Sequence, residues 1–195
     1  MRQRYLLPAR FLLNVGTIES RKNLRLIAQA LYLLPAEIKC VVVGKKTPYF
    51  DQVDRFLKEK NMGDRMLFLE HISFDELPVL YQCASIFLYP SEFEGFGIPV
   101  LEAISGGTPV VAASGSCLEE AGGPGSRYLP PHHIEGWAEA IQSIWASPEL
   151  ASQMQISGLT YSRSFLPEIV ARKMHAVYQR LQTASKDRTD YNPGV

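Results

Sequence analysis

Short apolar runs of three to five residues recur along the chain, and between them apolar side chains return at intervals of three and four. Residues 11–15 (FLLNV), 40–43 (CVVV), 66–69 (MLFL), 85–89 (SIFLY) and 109–112 (PVVA) read as strands, with 126–129 (SRYL) a weaker sixth. Leu24, Ile27, Ala28 and Leu31 share one helical face, as do Phe50, Val53 and Leu57. Residues 75–81 predict a third helix, provided that Pro78 falls in its first turn, where a missing N–H costs nothing. A helix is also expected over 98–105 and a short one after the small-residue turn at Ser114. Strand-like runs alternating with helical ones are the signature of β-α-β units, so the fold class is α/β with a parallel sheet of about six strands flanked by helices.

After Leu129 the pattern changes. Pro130-Pro-His-His133 reads as a loop, and residues 134–146, 149–164 and 167–182 as consecutive helices, the last with Val170, Met174, Val177 and Leu181 on one face. Residues 183–195, rich in Ser, Lys, Asp, Asn, Pro and Gly, read as a disordered tail.

A chain of 195 residues, 46% of them hydrophobic, can bury one sizeable core, so one domain is expected. Twenty basic residues balance twenty acidic ones, which argues against a nucleic-acid partner chosen by bulk charge. Cys40, Cys83 and Cys117 show no C-x-x-C spacing and fit buried thiols in a reducing compartment. No apolar run approaches the ~18 residues of a membrane span, and Arg10 interrupts the apolar segment near the amino terminus. The expectation is a soluble cytoplasmic protein, peripheral to the inner membrane face at most.

The candidate chemistry lies in Glu94-Gly-Phe-Gly-Ile-Pro-Val-Leu-Glu102, two carboxylates separated by seven residues. Glu94 falls in the loop after a buried strand and Glu102 inside the helix that follows. In a parallel sheet that crevice takes ligands, and a helix amino terminus suits a phosphate. The carboxylates can then hold hydroxyls on either side of a diphosphate. The bland alternative is two solvated glutamates beside a tight turn. Gly16-Thr-Ile-Glu-Ser-Arg-Lys-Asn23 follows the first strand: a glycine lets backbone approach a phosphate, and Arg21 and Lys22 can neutralise its oxygens. The two cations could equally be solvated, but at a helix amino terminus they oppose the macrodipole, a small cost that an arriving anion would offset. The chain has no Asp-x-Asp, and His71, His132, His133 and His175 form no ligand cluster, so neither a metal nor another cofactor is expected. No G-x-G-x-x-G follows the first strand, which disfavours a dehydrogenase.

Pro90-Ser-Glu-Phe-Glu-Gly-Phe-Gly-Ile-Pro-Val-Leu-Glu-Ala103, followed by Gly107-Thr-Pro-Val-Val-Ala112, resembles the signature of family 4 of the retaining glycosyltransferases, enzymes of the two-domain GT-B architecture. The resemblance covers residues 11–181 and only the second, Rossmann-like domain. It implies a connector remnant over 1–10, a nucleotide-sugar-binding domain over 11–182, and an amino-terminal acceptor-binding domain that is absent here. A chain lacking that partner is expected to bind donor without transferring sugar.

On this resemblance Glu102 accepts from the ribose hydroxyls and Glu94 contacts the transferred sugar near its reacting carbon. The N–H groups of Phe96, Gly97 and Ile98 face the donor, Gly95 and Gly97 leave it room, and Phe96 is read as packing. Gly16, Arg21 and Lys22 match the family's phosphate loop, the two cations stabilising the leaving diphosphate; Thr17 stands where many members carry Arg. Gly44 ends the second strand on the crevice side. The base-binding loop lies at Leu69-Glu-His-Ile-Ser73, with the backbone beside Ile72 at the base edge and Glu70 in place of a small residue, either accepting from a guanine or simply solvated. The segment 114–122 resembles a donor-side loop. Glu-Ser-Arg-Lys-Asn resembles the mannosyltransferase-like branch, favouring GDP-mannose over UDP- or dTDP-sugars, with a glycan or lipid-linked acceptor. Two rivals remain: a nucleotide-binding or regulatory module without transfer activity, and half of a GT-B-like epimerase or phosphorylase.

Overall fold

Six strands, β1 (Leu12–Val15), β2 (Cys40–Val43), β3 (Met66–Leu69), β4 (Ile86–Tyr89), β5 (Val110–Ala113) and β6 (Arg127–Leu129), form one sheet in the order β3-β2-β1-β4-β5-β6. Every pairing is parallel, with Leu12 opposite both Cys40 and Ile86. This computed structural model describes Met1 and residues 3–189, with side chains as far as Gln182. β2, β4 and β5 are buried throughout because helices cover both faces, as their apolar sequences require. The strands lie where the apolar runs predict, within one residue at either end.

The chain builds outward from β1 in two directions, first through β2 to β3 and then through β4 and β5 to β6. Between β1 and β4 the direction of winding reverses, and the loops after these two strands diverge to leave a crevice at the carboxyl edge of the sheet. The loops carrying Gly16 and Glu94 are the two that flank it.

The crossover helices are α1 (Leu24–Tyr32), α2 (Phe50–Glu59), α3 (Leu77–Cys83), α4 (Ile98–Ser105) and α5 (Leu118–Gly122), followed by α6 (Ile134–Ala146) and α7 (Pro148–Ser162). Pro78 occupies the first turn of α3 as expected. Buried Arg65 donates to the carbonyls of Leu31, Pro35 and Ile38 at 2.9–3.0 Å, so a guanidinium satisfies the open end of α1 where a cation also suits the helix dipole. Before β1, Arg10 stacks on the Trp145 ring at 4.1 Å and donates to the Trp145 carbonyl at 2.8 Å.

Two compact units divide the chain, residues 1–161 and 162 onward. The second holds a 3₁₀ turn (Arg163–Phe165) and α8 (Pro167–Thr189). The single helix expected over 149–164 therefore ends at Ser162. Leu166 precedes a proline and adopts φ −59°, ψ 139°, an extended setting that no helix can include. Backbone over 183–189 is helical where a disordered tail is expected, and 190–195 lie outside the described residues. Val170, Met174, Val177 and Leu181 are exposed along α8.

Candidate functional site

Close backbone packing shapes one wall of the crevice. A Cβ on Gly44 would lie 1.9 Å from the Gly16 carbonyl oxygen, so only glycine allows these turns to touch. They are laced together: Gly16 N–H donates to Val43, Ile18 N–H to Lys45 and Gly44 N–H to Leu69, all at 2.8–3.0 Å. From Gly16 (φ +149°) the chain turns through a short 3₁₀ segment, Ser20–Lys22, and a left-handed Asn23 (φ 53°) before α1 starts at Leu24. Arg21 and Lys22 thus stand just ahead of α1 rather than in its first turn. Asn23 Nδ2 donates to the Pro131 carbonyl at 2.7 Å, latching this loop to the one before α6.

On the opposite wall Gly97 caps α4 at φ +106°, and a Cβ there would meet Leu118 Cδ2 at 2.6 Å. Glycine is required twice, for the backbone angle and for the contact with α5. Gly95 differs: it has ordinary φ and nothing within 4 Å of where its Cβ would be, so its small size serves open space.

Glu94 closes the crevice between the walls. Its Oε1 accepts from Ser91 Oγ at 2.6 Å, Tyr89 OH at 3.0 Å, Arg21 Nη1 at 3.2 Å and, in the shortest contact, Lys22 Nζ. Lys22 also donates to Tyr89 OH at 2.6 Å, and Arg21 reaches the Phe93 carbonyl at 2.9 Å and Glu19 at 2.8 Å. Among the described residues Oε2 of Glu94 has no hydrogen-bond partner. Burial pushes its carboxyl up, but the bonds from Lys22, Ser91 and Tyr89 with the Lys22 charge outweigh it, leaving the pKa below the ordinary value. Burial, then the neighbouring Glu94 charge, pushes the Tyr89 phenol well up, so its proton stays on. Cys117 Sγ lies 3.1 Å from the Glu94 carbonyl oxygen and donates to it.

Glu102 has a different setting. It is exposed on α4, and its Oε2 accepts from Tyr81 OH at 2.9 Å, while Oε1 has no partner among the described residues. Among the described residues it shares no hydrogen bond with the Glu94 cluster. Beside it a cavity of about 270 Å³ is lined by Phe74, Leu77, Tyr81, Glu102 and Ser105, and Phe74 is 93% exposed. The loop that leads to Phe74 is held by Glu76, whose Oε2 accepts from Ser73 N–H at 3.2 Å and Ser73 Oγ at 3.0 Å, closing the turn that precedes α3. Glu76 also accepts from Tyr5 OH at 2.9 Å and Arg4 Nη1 at 2.5 Å, so the segment before β1 is fastened to the same loop.

The expected site residues thus fall into three groups. Gly16, Gly44, Arg21, Lys22 and Glu94 converge; Gly95, Phe96, Gly97 and Ile98 run from Glu94 into α4; Glu102 lies on that helix beside the cavity. Thr17 is exposed at the Gly16 turn, Ile98 is 62% exposed, and Phe96 is partly buried against the core. Ile72 is half-buried and also packs on the core. Glu70 pairs with Lys46 at 2.9 Å, and that bond lowers its pKa. Sequence reasoning missed Tyr89, Ser91, Tyr81 and Glu76. Only Glu76 carried a readable signal, its Ser-x-x-Glu spacing from Ser73. Among the described residues no three His, Cys, Asp or Glu side chains gather as metal ligands, and no helix is long and apolar enough to cross a membrane.

The family model of the glycosyl transferases group 1 matches residues 3–159. The chain belongs to that family. It is 34% identical over 139 residues to O-antigen chain mannosyltransferase B of Escherichia coli, a match covering 69% of this chain and 36% of that protein. Sucrose-phosphate synthase of Thermosynechococcus elongatus has the same fold, with a TM-score of 0.81 at 29% identity over 94% of this chain and 48% of the other. Anabaena HepE, solved with UDP and glucose, gives a TM-score of 0.80 at 18% identity, over 92% of this chain and 50% of that one. The chain therefore spans from about a third to half the length of the relatives it matches.

Proposed function

We propose that this group 1 glycosyltransferase domain binds a nucleoside diphosphate sugar, with GDP-mannose the preferred donor, for hexose transfer to a glycan or lipid-linked acceptor held by a partner domain. The observation that carries this reading is the Glu94 cluster: two cations beside a glycine turn that backbone can share with a phosphate, joined to a carboxylate with one oxygen still open. Mannosyltransferase relatives and a neighbour of the same fold holding UDP and glucose support the donor class.

In this reading the diphosphate lies over Gly16, where the missing Cβ admits it, and Arg21 and Lys22 meet the charge that grows on the leaving phosphate. Arg21, the more exposed of the two, exchanges its bond to Glu94 for a phosphate oxygen, while Lys22 uses two of its three donors on Tyr89 and Glu94 and keeps the third for the ligand. Glu94 Oε2 accepts from a hydroxyl of the transferred sugar, and Glu102 Oε1 from the ribose. The cations supply the positive charge, so binding needs no metal. The thiols of Cys40, Cys83 and Cys117 are all free, consistent with work in the cytoplasm.

Thermal shift with EDTA present tests the reading. A nucleoside diphosphate at ~100 times its dissociation constant should stabilise the chain by about 2.7 kcal/mol, with GDP ahead of UDP and dTDP. Equal or absent responses to all three would remove the donor site.

A further inference from the structure

Tyr81 is buried on α3, and three contacts hold its backbone, its Cβ and its ring. Its carbonyl accepts from Thr108 Oγ1 at 2.7 Å; its Cβ faces Gly106, where an added methyl would come within 3.3 Å; its ring packs edge-on against Phe87 at 5.3 Å. Held this way, the hydroxyl has one destination, Oε2 of Glu102 at 2.9 Å. The phenol is the donor, because burial, then the Glu102 charge, pushes its pKa far above neutral. Glu102 would otherwise be an exposed carboxylate on a flexible stem, free to sample several rotamers. Tyr81 consumes one acceptor site on Oε2 and holds the carboxylate plane, while Oε1 has no partner among the described residues and Glu102 lines the cavity.

We propose that Tyr81 is a positioning residue for Glu102, and that this pair makes the site select a nucleotide with ribose hydroxyls over one without them. The inference rests on Glu102 as the ribose acceptor. Two adjacent hydroxyls gain full hydrogen bonds only from a carboxylate whose orientation is already fixed; a carboxylate that must first be ordered gives up part of that gain. Tyr81 touches no substrate in this account.

Calorimetry with GDP and its 2′,3′-dideoxy analogue, repeated with the UDP pair, tests it on the wild type, Tyr81→Phe, Glu102→Ala and the double variant. The wild type should prefer the ribonucleotide by about tenfold or more. Tyr81→Phe should cut that preference to a few-fold while leaving the dideoxy affinity within about twofold, because the ring and its packing stay. In the Glu102→Ala background the same change should have no effect on the preference, as coupling through Glu102 requires. An unchanged preference in Tyr81→Phe, an equal loss for both ligands, or the same effect with and without Glu102 would each overturn the proposal. No preference in the wild type would instead remove the ribose role of Glu102 itself. Should Tyr81→Phe fold poorly, Glu102→Asp, which draws the carboxylate back from the tyrosine, should lose the preference in the same way, and its retention would overturn the proposal.

Discussion

Glu94 and Glu102 are chemically identical and separated by only seven residues, yet the fold gives them opposite surroundings. Glu94 is 11% exposed, with four donors on one oxygen, two of them cationic. Glu102 is exposed and has one neutral donor. The first is a counterion built into the loop that precedes α4, the second an acceptor presented from the helix surface. Residue type and spacing alone would assign them the same duty. A ligand at the first would have to compete with bonds already made, whereas at the second it would meet an oxygen without a partner among the described residues.

The comparison breaks most severely at Lys22. Lys22→Ala strips the half-buried Glu94 of its closest cation and should cost about 3 kcal/mol in a urea melt, near the lower end for unpairing a buried charge. A loss below about 1 kcal/mol would mean that Glu94 is solvated after all. Next comes Glu102→Ala, which should weaken nucleoside diphosphate binding by about 2 kcal/mol yet leave the melting midpoint within about 0.5 kcal/mol of wild type. Equal losses of stability at Glu94 and Glu102 would erase the distinction.

Acidity sharpens the contrast further. The folded pKa of Glu94 lies below that of the unfolded chain, so its stabilisation is complete above about pH 4.3 and is lost as pH falls through the lower folded value. Glu94→Gln should therefore lower stability at neutral pH by about 1.5 kcal/mol and flatten part of the acid limb. Urea melts between pH 3 and 7 read both, and an acid limb as steep as that of the wild type would contradict the assignment. The smallest effect belongs to Arg21, whose side chain is 47% exposed. Arg21→Ala should change stability by less than about 1 kcal/mol, and its effect on diphosphate affinity should shrink as salt is raised. Both cations bond Glu94 in the unliganded state, so Glu94→Ala should also alter affinity for the bare diphosphate.

β2 to β5 were legible because each is a short, mostly apolar run, and nothing local competes with that signal; β1, with Asn14, and β6, with exposed Arg127, carry it more weakly. The paired glutamates and the Gly-Phe-Gly turn were legible as motif. Their inequality was not, since it depends on Lys22, Tyr89 and Ser91 arriving from other parts of the chain or from a strand end. Tyr81 and Tyr89 were hidden for another reason: their rings fill core positions, so periodicity counts them as apolar and is blind to where the hydroxyl points. The start of α1 was misplaced because a left-handed Asn23 interposes a 3₁₀ turn, and polar residues alone do not announce that. Gly95 and Gly97 look alike in sequence. Only the packing of Leu118 shows that one is compelled and the other merely open.

The latch between Asn23 and the Pro131 carbonyl has an optical consequence. The neighbouring carbonyl, Pro130, accepts from the indole N–H of buried Trp137 at 3.1 Å. A ligand that shifts residues 16–23 therefore pulls on the same short loop that sets the polarity around this fluorophore. The chain has two tryptophans, and the other, Trp145, lies under Arg10. With Trp145→Phe, emission from Trp137 should become a label-free indicator of the loop at residues 16–23, and Asn23→Ala should cut the wire.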